Sequence, residues 1–346
     1  MKYKIAIVGA TGVVGRTVLK IMTERKLLKN DLLLYASKKS VGRRIKIENR
    51  FFIVKELNES IFNQKVDFAL FCTKEDISKQ YVKLLAQKGT RVVDFSSLYR
   101  KRYPLVVPEI NKNDIKGNII CNPNCSTIGA VMAIYNIHKK YGLNRIVYST
   151  YQAVSGAGKD ALDDLQKPGD QLKSFVFPIK NNMIPYIGAL DENGYSKEEN
   201  KMIYETRKIL HDKNIKITAT CVRVPIEVCH GESINFETKK RIGVKKIKKI
   251  LKQTQGVVYQ DEFPKFPMPI LVRDQDNVFV GRLRKDFSNP NTFNIFVVSD
   301  NLRKGAAQNG VQILEEMIKQ REKRWLYANL VEQVLQQKQH LRIFLK

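Results

Sequence analysis

"KIAIVGATGVVG", residues 4–15, decides the first half of the fold. Residues 3–8 read as a buried apolar strand, a glycine-rich turn follows, and an amphipathic helix is expected over residues 13–25. In that setting the glycines have separate tasks. Gly9 permits the tight turn, Gly12 lets backbone approach a pyrophosphate, and Gly15 lets the helix pack close. The opening N–H groups of the helix would face the anion. A lone glycine triad is weak evidence, but strand, turn and helix in this order mark a dinucleotide site rather than a merely tight turn.

Outward from this motif, "DLLLYAS" (31–37), "VDFALFCT" (66–73) and "TRVVDFSS" (90–97) read as further strands. "KEDISKQYVKLLAQKG" (74–89) reads as a helix stopped by Gly89. Alternating strands and helices imply a parallel sheet with crossover helices. The end of the second strand bears on the nucleotide. An NAD reader would carry Asp or Glu there for the ribose hydroxyls. This chain has Ser37, Lys38, Lys39 and Ser40 instead, and the two ammonium groups suit a 2′-phosphate. NADP is favoured; the alternative is that these lysines are only solvated surface.

Past Cys125 the pattern changes. "STIGAVMAIYNIHKKYG" reads as a helix stopped by Gly142. The longer strands "NRIVYSTYQAV", "IKITATCVRVPIEV", "ESINFET" and "TFNIFVVSD" follow with few helices between, among them "GVKKIKKILKQT". This half is expected to be α+β with a mixed, mostly antiparallel sheet. The expected division is a Rossmann-type NADP-binding domain over 1–125, a catalytic and dimerisation domain over 126–302, a helix over about 303–325 returning to the first domain, and a basic tail over 326–346.

The composition narrows the function classes. A chain of 346 residues, 43% of them hydrophobic, can bury two cores. No apolar run approaches the ~20 residues needed to span a bilayer. With no secretory apolar segment at the start, a cytoplasmic location is expected. Five scattered cysteines, at 72, 121, 125, 221 and 229, argue against a disulfide framework. The net charge of +27 raises the question of nucleic acid. The charge is dispersed, however, and carries no nucleic-acid-binding motif, so a lysine-rich solvated surface is the favoured reading.

"CNPNCSTIG" (121–129) holds two cysteines four apart. A zinc site would need a second pair at ligand spacing, and Cys221 and Cys229 do not provide one, so no metal is expected. Cys121 ends an apolar strand and reads as core. Cys125 precedes a helix directly, where partial positive charge would bring a thiol pKa down toward neutrality. Of four histidines, His230 in "VRVPIEVCHGES" lies at a strand end beside a glycine, a position open to either a structural or a catalytic role.

These segments, with "VVDFSS", "PLVVPEIN", "YQAVSGAG", "ENGYSKEENKM" and "SDNLRKGAAQN", stand in an order that resembles the aspartate-β-semialdehyde dehydrogenase family over nearly the whole chain. The resemblance implies Cys125 as nucleophile and His230 as acid/base. It implies Gln152 to orient the acyl group, Arg223 for the substrate carboxylate, Glu198 for its ammonium, and Arg100 with Lys201 for inorganic phosphate. For NADP it implies Thr11 to Val14, Lys39, Ser40, Ser155, Gly156 and Asn301. The implied reaction reduces L-aspartyl 4-phosphate to the semialdehyde through a cysteine thioester, on the route to lysine, threonine and methionine. Backbone N–H groups around Cys125 would supply the oxyanion site. The implied assembly is a homodimer through the second domain, with a tetramer as the alternative. Other thioester-forming reductases, acting on an acyl-CoA or an N-acetylglutamyl phosphate, are the rivals, and a nucleic-acid-binding protein on a retired dehydrogenase fold is the rival of another class. Two departures are visible: Lys39 stands where many members have Arg, and the chain beyond Trp325 is longer than usual.

Overall fold

The computed structural model describes residues 2–166 and 172–344, with side chains through Gln333. The end of the expected basic tail, His340 included, therefore has no described side chains.

The first half builds β1 (Lys4–Val8), α1 (Val13–Glu24), β2 (Asp31–Ala36), β3 (Arg44–Ile47), β4 (Arg50–Glu56), β5 (Phe68–Phe71), α2 (Glu75–Gln87), β6 (Arg91–Asp94), α3 (Pro108–Asn111) and β7 (Ile119–Cys121). The strands form one sheet in the order β3-β4-β2-β1-β5-β6-β7. All neighbours are parallel except the edge pair β3–β4. That hairpin was not expected. Its charged, half-exposed alternation ("RIKI", "RFFIVKE") lacks the apolar run that marks a buried strand. β1 and β5 are buried almost throughout, as a sheet covered on both faces requires.

The second half builds α4 (Cys125–Tyr141), β8 (Leu143–Gln152), α5 (Lys159–Gln166), α6 (Lys197–Ile209), β9 (Lys216–Arg223), β10 (His230–Thr238), α7 (Val244–Gln253), β11 (Val257–Tyr259), α8 (Pro269–Val272), β12 (Val278–Lys285) and β13 (Thr292–Ser299). Its sheet runs β11-β12-β13-β10-β8-β9. β10 is antiparallel to both β8 and β13, and β12 to β13, whereas β8–β9 and β11–β12 are parallel. The sheet is thus mixed with an antiparallel majority. α4, α6 and α7 cover one face, where Ile146, Tyr148, Ile234, Phe236, Phe293 and Ile295 are buried.

α6 went unread as a helix although its start carries a full capping box. The Ser196 side chain accepts from Glu199 N–H, and the Glu199 carboxylate accepts from Ser196 N–H. The expected strand "IKITATCVRVPIEV" ends at Arg223, ahead of Pro225, which has no N–H for a ladder.

After β13 the chain makes a π-helical turn, Arg303–Ala307, and enters α9 (Gln308–Phe344). α9 packs Val311, Leu314, Met317 and Ile318 into the core of the first sheet. Where a helix ending near residue 325 and a separate tail were expected, the backbone continues as one helix. No helix-breaking Gly or Pro stands between 311 and 344. Among the described residues no helix is long and apolar enough to cross a membrane.

A buried ion pair ties this return to the first half. Lys304 Nζ lies 2.7 Å from Glu109 Oε2 on α3, and also donates to Asn309 Oδ1 and Gln312 Oε1. Both charged side chains are almost fully enclosed, that of Lys304 at 1% exposure and that of Glu109 at 6%. Removing one partner of such a pair strands the other, at about 3–5 kcal/mol. Glu109→Ala is accordingly expected to lower the thermal midpoint sharply. The double variant Glu109→Leu/Lys304→Met should melt above that single variant in the same scan.

Candidate active site

Pro123 keeps the chain extended before Asn124, and Asn124 then opens α4. Its Oδ1 accepts from Ser126 N–H at 3.0 Å and Thr127 N–H at 3.2 Å. Asn124 is therefore the N-cap, and Cys125 is the first helical residue rather than the cap. The sulfur projects from that first turn to lie 3.1 Å from His230 Nε2. His230 is the first residue of β10 and is fully buried. Its Nδ1 accepts from Ala153 N–H at 3.0 Å, so the neutral ring carries its proton on Nε2, facing the sulfur.

The cleft above Cys125 has a volume of about 800 Å³. It brings Val14, Arg100, Gln152, Ser155, Gly156, Glu198, Lys201, Arg223 and Asn301, all expected site residues, to one wall or another. Gln152 and Arg223 end the paired strands β8 and β9 and stand opposite each other in register. Arg223 Nη1 donates to Ala153 O at 2.6 Å. A side chain on Gly156 would meet Arg223 Nη1 at 3.3 Å and His230 Cε1 at 3.6 Å, so the backbone closes tightly there. Asn301 Nδ2 donates to Ser155 Oγ at 2.9 Å and Asn301 Oδ1 accepts from Cys229 N–H at 2.9 Å.

α6 supplies the opposite wall. Glu198 Oε1 accepts from Asn124 Nδ2 at 2.8 Å, and Lys201 Nζ lies 3.3 Å from Glu198 Oε2. Arg100 Nη1 donates to Glu205 Oε1 at 2.9 Å and Nη2 to Phe95 O at 2.9 Å. Glu205 and Asn124 had not been singled out. The asparagine ahead of a helix was the available cap signal; Glu205 carried none, because its value lies in contacts about 80 and 105 residues away in sequence.

At the dinucleotide end, Gly9 has φ +82°, and a Cβ on it would lie 2.4 Å from Cys72 O. A Cβ on Gly15 would meet Gly9 O at 2.2 Å. Gly12 is the N-cap of α1, and Val13 is its first residue. Thr11 Oγ1 lies 3.3 Å from Ser40 Oγ, while Lys38 and Lys39 are exposed beside them at the end of β2.

The electrostatics correct one expectation. Burial pushes the Cys125 thiol up to about 12; Glu198 adds to this, while Arg223, Arg100 and the Ser126 N–H pull the other way without prevailing. Burial and the Arg223 guanidinium push His230 down to about 3. The helix start does not win, and thiol and imidazole are both neutral at pH 7. The expected oxyanion donors are also largely engaged: Ser126 and Thr127 N–H bond the cap, and Asn124 N–H donates to Glu205 Oε2 at 2.7 Å. Cys121, as read, is a buried core residue.

Residues 4–118 match the family model of the semialdehyde dehydrogenase NAD-binding domain, and residues 135–304 match that of the dimerisation domain. The aspartate-semialdehyde dehydrogenase of Aquifex aeolicus (strain VF5) is 45% identical over 337 residues, 92% of this chain and 99% of that protein. That of Bacillus subtilis (strain 168) is 40% identical over 337 residues, covering 91% and 97%. The crystal structure of aspartate semialdehyde dehydrogenase II from Vibrio cholerae, complexed with ASA, superposes with a TM-score of 0.88 at 38% identity, covering 92% and 99%. The Candida albicans enzyme, solved with NADP, gives a TM-score of 0.73 at 25% identity over 92% and 98%. Likeness of this extent runs through both sheets and the cleft between them, and the chain belongs to the aspartate-semialdehyde dehydrogenase family.

Proposed function

We propose that the chain catalyses the NADPH-dependent reductive dephosphorylation of L-aspartyl 4-phosphate to L-aspartate 4-semialdehyde through a thioester on Cys125. The observation that carries this reading is the 3.1 Å approach of Cys125 Sγ to His230 Nε2 beside a cleft lined by the charged side chains of Arg100, Glu198, Lys201 and Arg223. Glu198 receives the substrate ammonium, which favours a free amino acid over an N-acetylated one. Arg223 grips its α-carboxylate as a planar fork, Gln152 orients the acyl carbonyl, and Arg100 with Lys201 holds the phosphate. The dinucleotide is held on the glycine turn and on Thr11 to Val14, with Ser155, Gly156 and Asn301 toward the cleft. Lys39 and Ser40 meet the 2′-phosphate.

The sulfur attacks the acyl carbon, the C–O bond to phosphate breaks, and the sulfur's proton leaves with the phosphate. When bound, NADPH supplies the hydride that reduces the thioester carbon. Collapse then expels the Cys125 sulfur, and a proton delivered by His230 Nε2 and replenished from solvent restores the thiol. Because an imidazolium at 230 is disfavoured by burial and by Arg223, His230 gives its Nε2 proton to the departing sulfur as solvent returns one to the ring, and does not rest with an extra one.

The functional division proposed is residues 1–125 for the dinucleotide and 126–302 for catalysis and pairing, in a cytoplasmic homodimer. The face of the second sheet opposite α4, α6 and α7, half-exposed along β8 and β10, offers the pairing surface. Val147, Ser149, Tyr151, Ser233, Asn235 and Phe296 alternate along it with the buried set. The high positive charge is read as solvated surface rather than as a nucleic-acid site.

NADP⁺ reduction with aspartate semialdehyde is expected to require inorganic phosphate and to be unsupported by CoA. Cys125→Ala should abolish turnover while leaving NADP⁺ affinity, read by fluorescence titration, unchanged; parallel loss of both would assign Cys125 a folding role. In the free enzyme the iodoacetamide rate at Cys125 is expected to climb about tenfold per unit from pH 7 to pH 9, with no plateau, because the thiol titrates only far above that window. No inflection should appear near pH 6.5, since His230 stays neutral above pH 4. Light scattering should give twice the 39.9 kDa chain mass. Tyr151→Asp with Phe296→Asp should return it to the monomer.

A further inference from the structure

We propose that Glu205 is a positioning residue of the reaction: one carboxylate sets both the phosphate-holding guanidinium of Arg100 and the backbone from which Cys125 projects. The inference rests on the proposed role of Arg100 as the phosphate holder and adds a residue that this role requires.

Glu205 is fully buried on α6, and its two oxygens do different things. Oε1 accepts from Arg100 Nη1 at 2.9 Å and from the Tyr204 hydroxyl at 3.3 Å. Oε2 accepts from the backbone N–H of Asn124 at 2.7 Å. A carboxylate serving only to neutralise Arg100 would turn both oxygens to the guanidinium fork, the stronger bidentate arrangement. Here one oxygen is given to a peptide group immediately before the nucleophile.

The consequences for Arg100 are geometric. With Nη1 held by Glu205 and Nη2 by Phe95 O, the guanidinium plane has two fixed points. One N–H on each terminal nitrogen is left for a ligand in the cleft that Arg100 lines. The consequences for Cys125 run through the chain. Asn124 is held at its backbone N–H by Glu205 and at its side-chain amide by Glu198, and its Oδ1 caps α4. Glu198, Lys201 and Glu205 stand at i, i+3 and i+7, so one face of α6 carries all three. Phosphate attack on the thioester needs the phosphate oxygen and the acyl carbon at a fixed separation. The group that holds one and the backbone that carries the other share a single carboxylate.

Glu205→Gln keeps the shape and forces a conflict. Its NH₂ must face either Arg100 Nη1–H or Asn124 N–H, donor against donor. We expect the KM for phosphate to rise about tenfold and kcat to fall, with the KM values for aspartate semialdehyde and NADP⁺ within about twofold of the parent. An unchanged KM for phosphate, with only a lower melting temperature, overturns the proposal and leaves Glu205 a structural ion-pair partner. If Glu205→Gln does not fold, Glu205→Asp is read instead. It keeps the charge but is one methylene short of spanning both partners, so the same split between phosphate and the other substrates is expected, and a uniform loss overturns the proposal. A parent enzyme without phosphate dependence fails before any variant is compared. That outcome sinks the proposed function and this inference with it.

Discussion

The arrangement of the site depends on how Asn124 is held. A helix start leaves N–H groups without intrahelical partners, and a start buried between two domains cannot leave them to water. Asn124 meets two of them with its own side-chain oxygen, and α6 fixes Asn124 in turn through Glu198 and Glu205. Cys125 therefore projects from backbone restrained on three sides. Its sulfur reaches His230, on a strand 105 residues further on.

That restraint places the sulfur where it cannot be a resting thiolate. Enclosure disfavours both charged partners of a thiolate–imidazolium pair, and Ala153 N–H points at His230 Nδ1, where an imidazolium would carry its second proton. The fixed charges around the pair have opposite signs: Glu198 opposes a thiolate, and Arg223 opposes an imidazolium. A substrate bearing both an ammonium and a carboxylate covers both. The pair at rest is thus neutral, and the sulfur is not left charged and open to oxidation.

Much of this was legible in the sequence where physics is local. Gly9 and Gly15 could be read because no side chain fits where they stand, and Cys125 could be read from the break between an extended Asn-Pro and an apolar helix. The edge hairpin β3–β4 was obscured because an exposed edge does not need an apolar face. The thiol's protonation state was misjudged for a related reason. The helix start is visible in sequence, while the enclosure that outweighs it comes from β9, β10 and α6, far along the chain. Glu205 was invisible on the same ground. Neutral-looking within "YETRKIL", it gains meaning only when α6 is laid against Arg100 and Asn124.

The return of the chain after β13 shows why the two halves cannot be treated as separable. Asn301 braces Ser155 and the Cys229 peptide, two residues later Arg303 opens the π turn, and Lys304 is buried against Glu109 of the first half. Gly305 follows these anchors directly, and a Cβ there would come within 3.1 Å of Cys125 Cβ. The element that locks one half to the other is thus the one in contact with Cys125. A shift of α9 against the first sheet would be felt at Gly305, and through it at the sulfur. The wide turn sets that contact: its N–H groups reach back five residues, Gly305 to Asp300 and Ala307 to Leu302, and a position without a side chain is brought against Cys125.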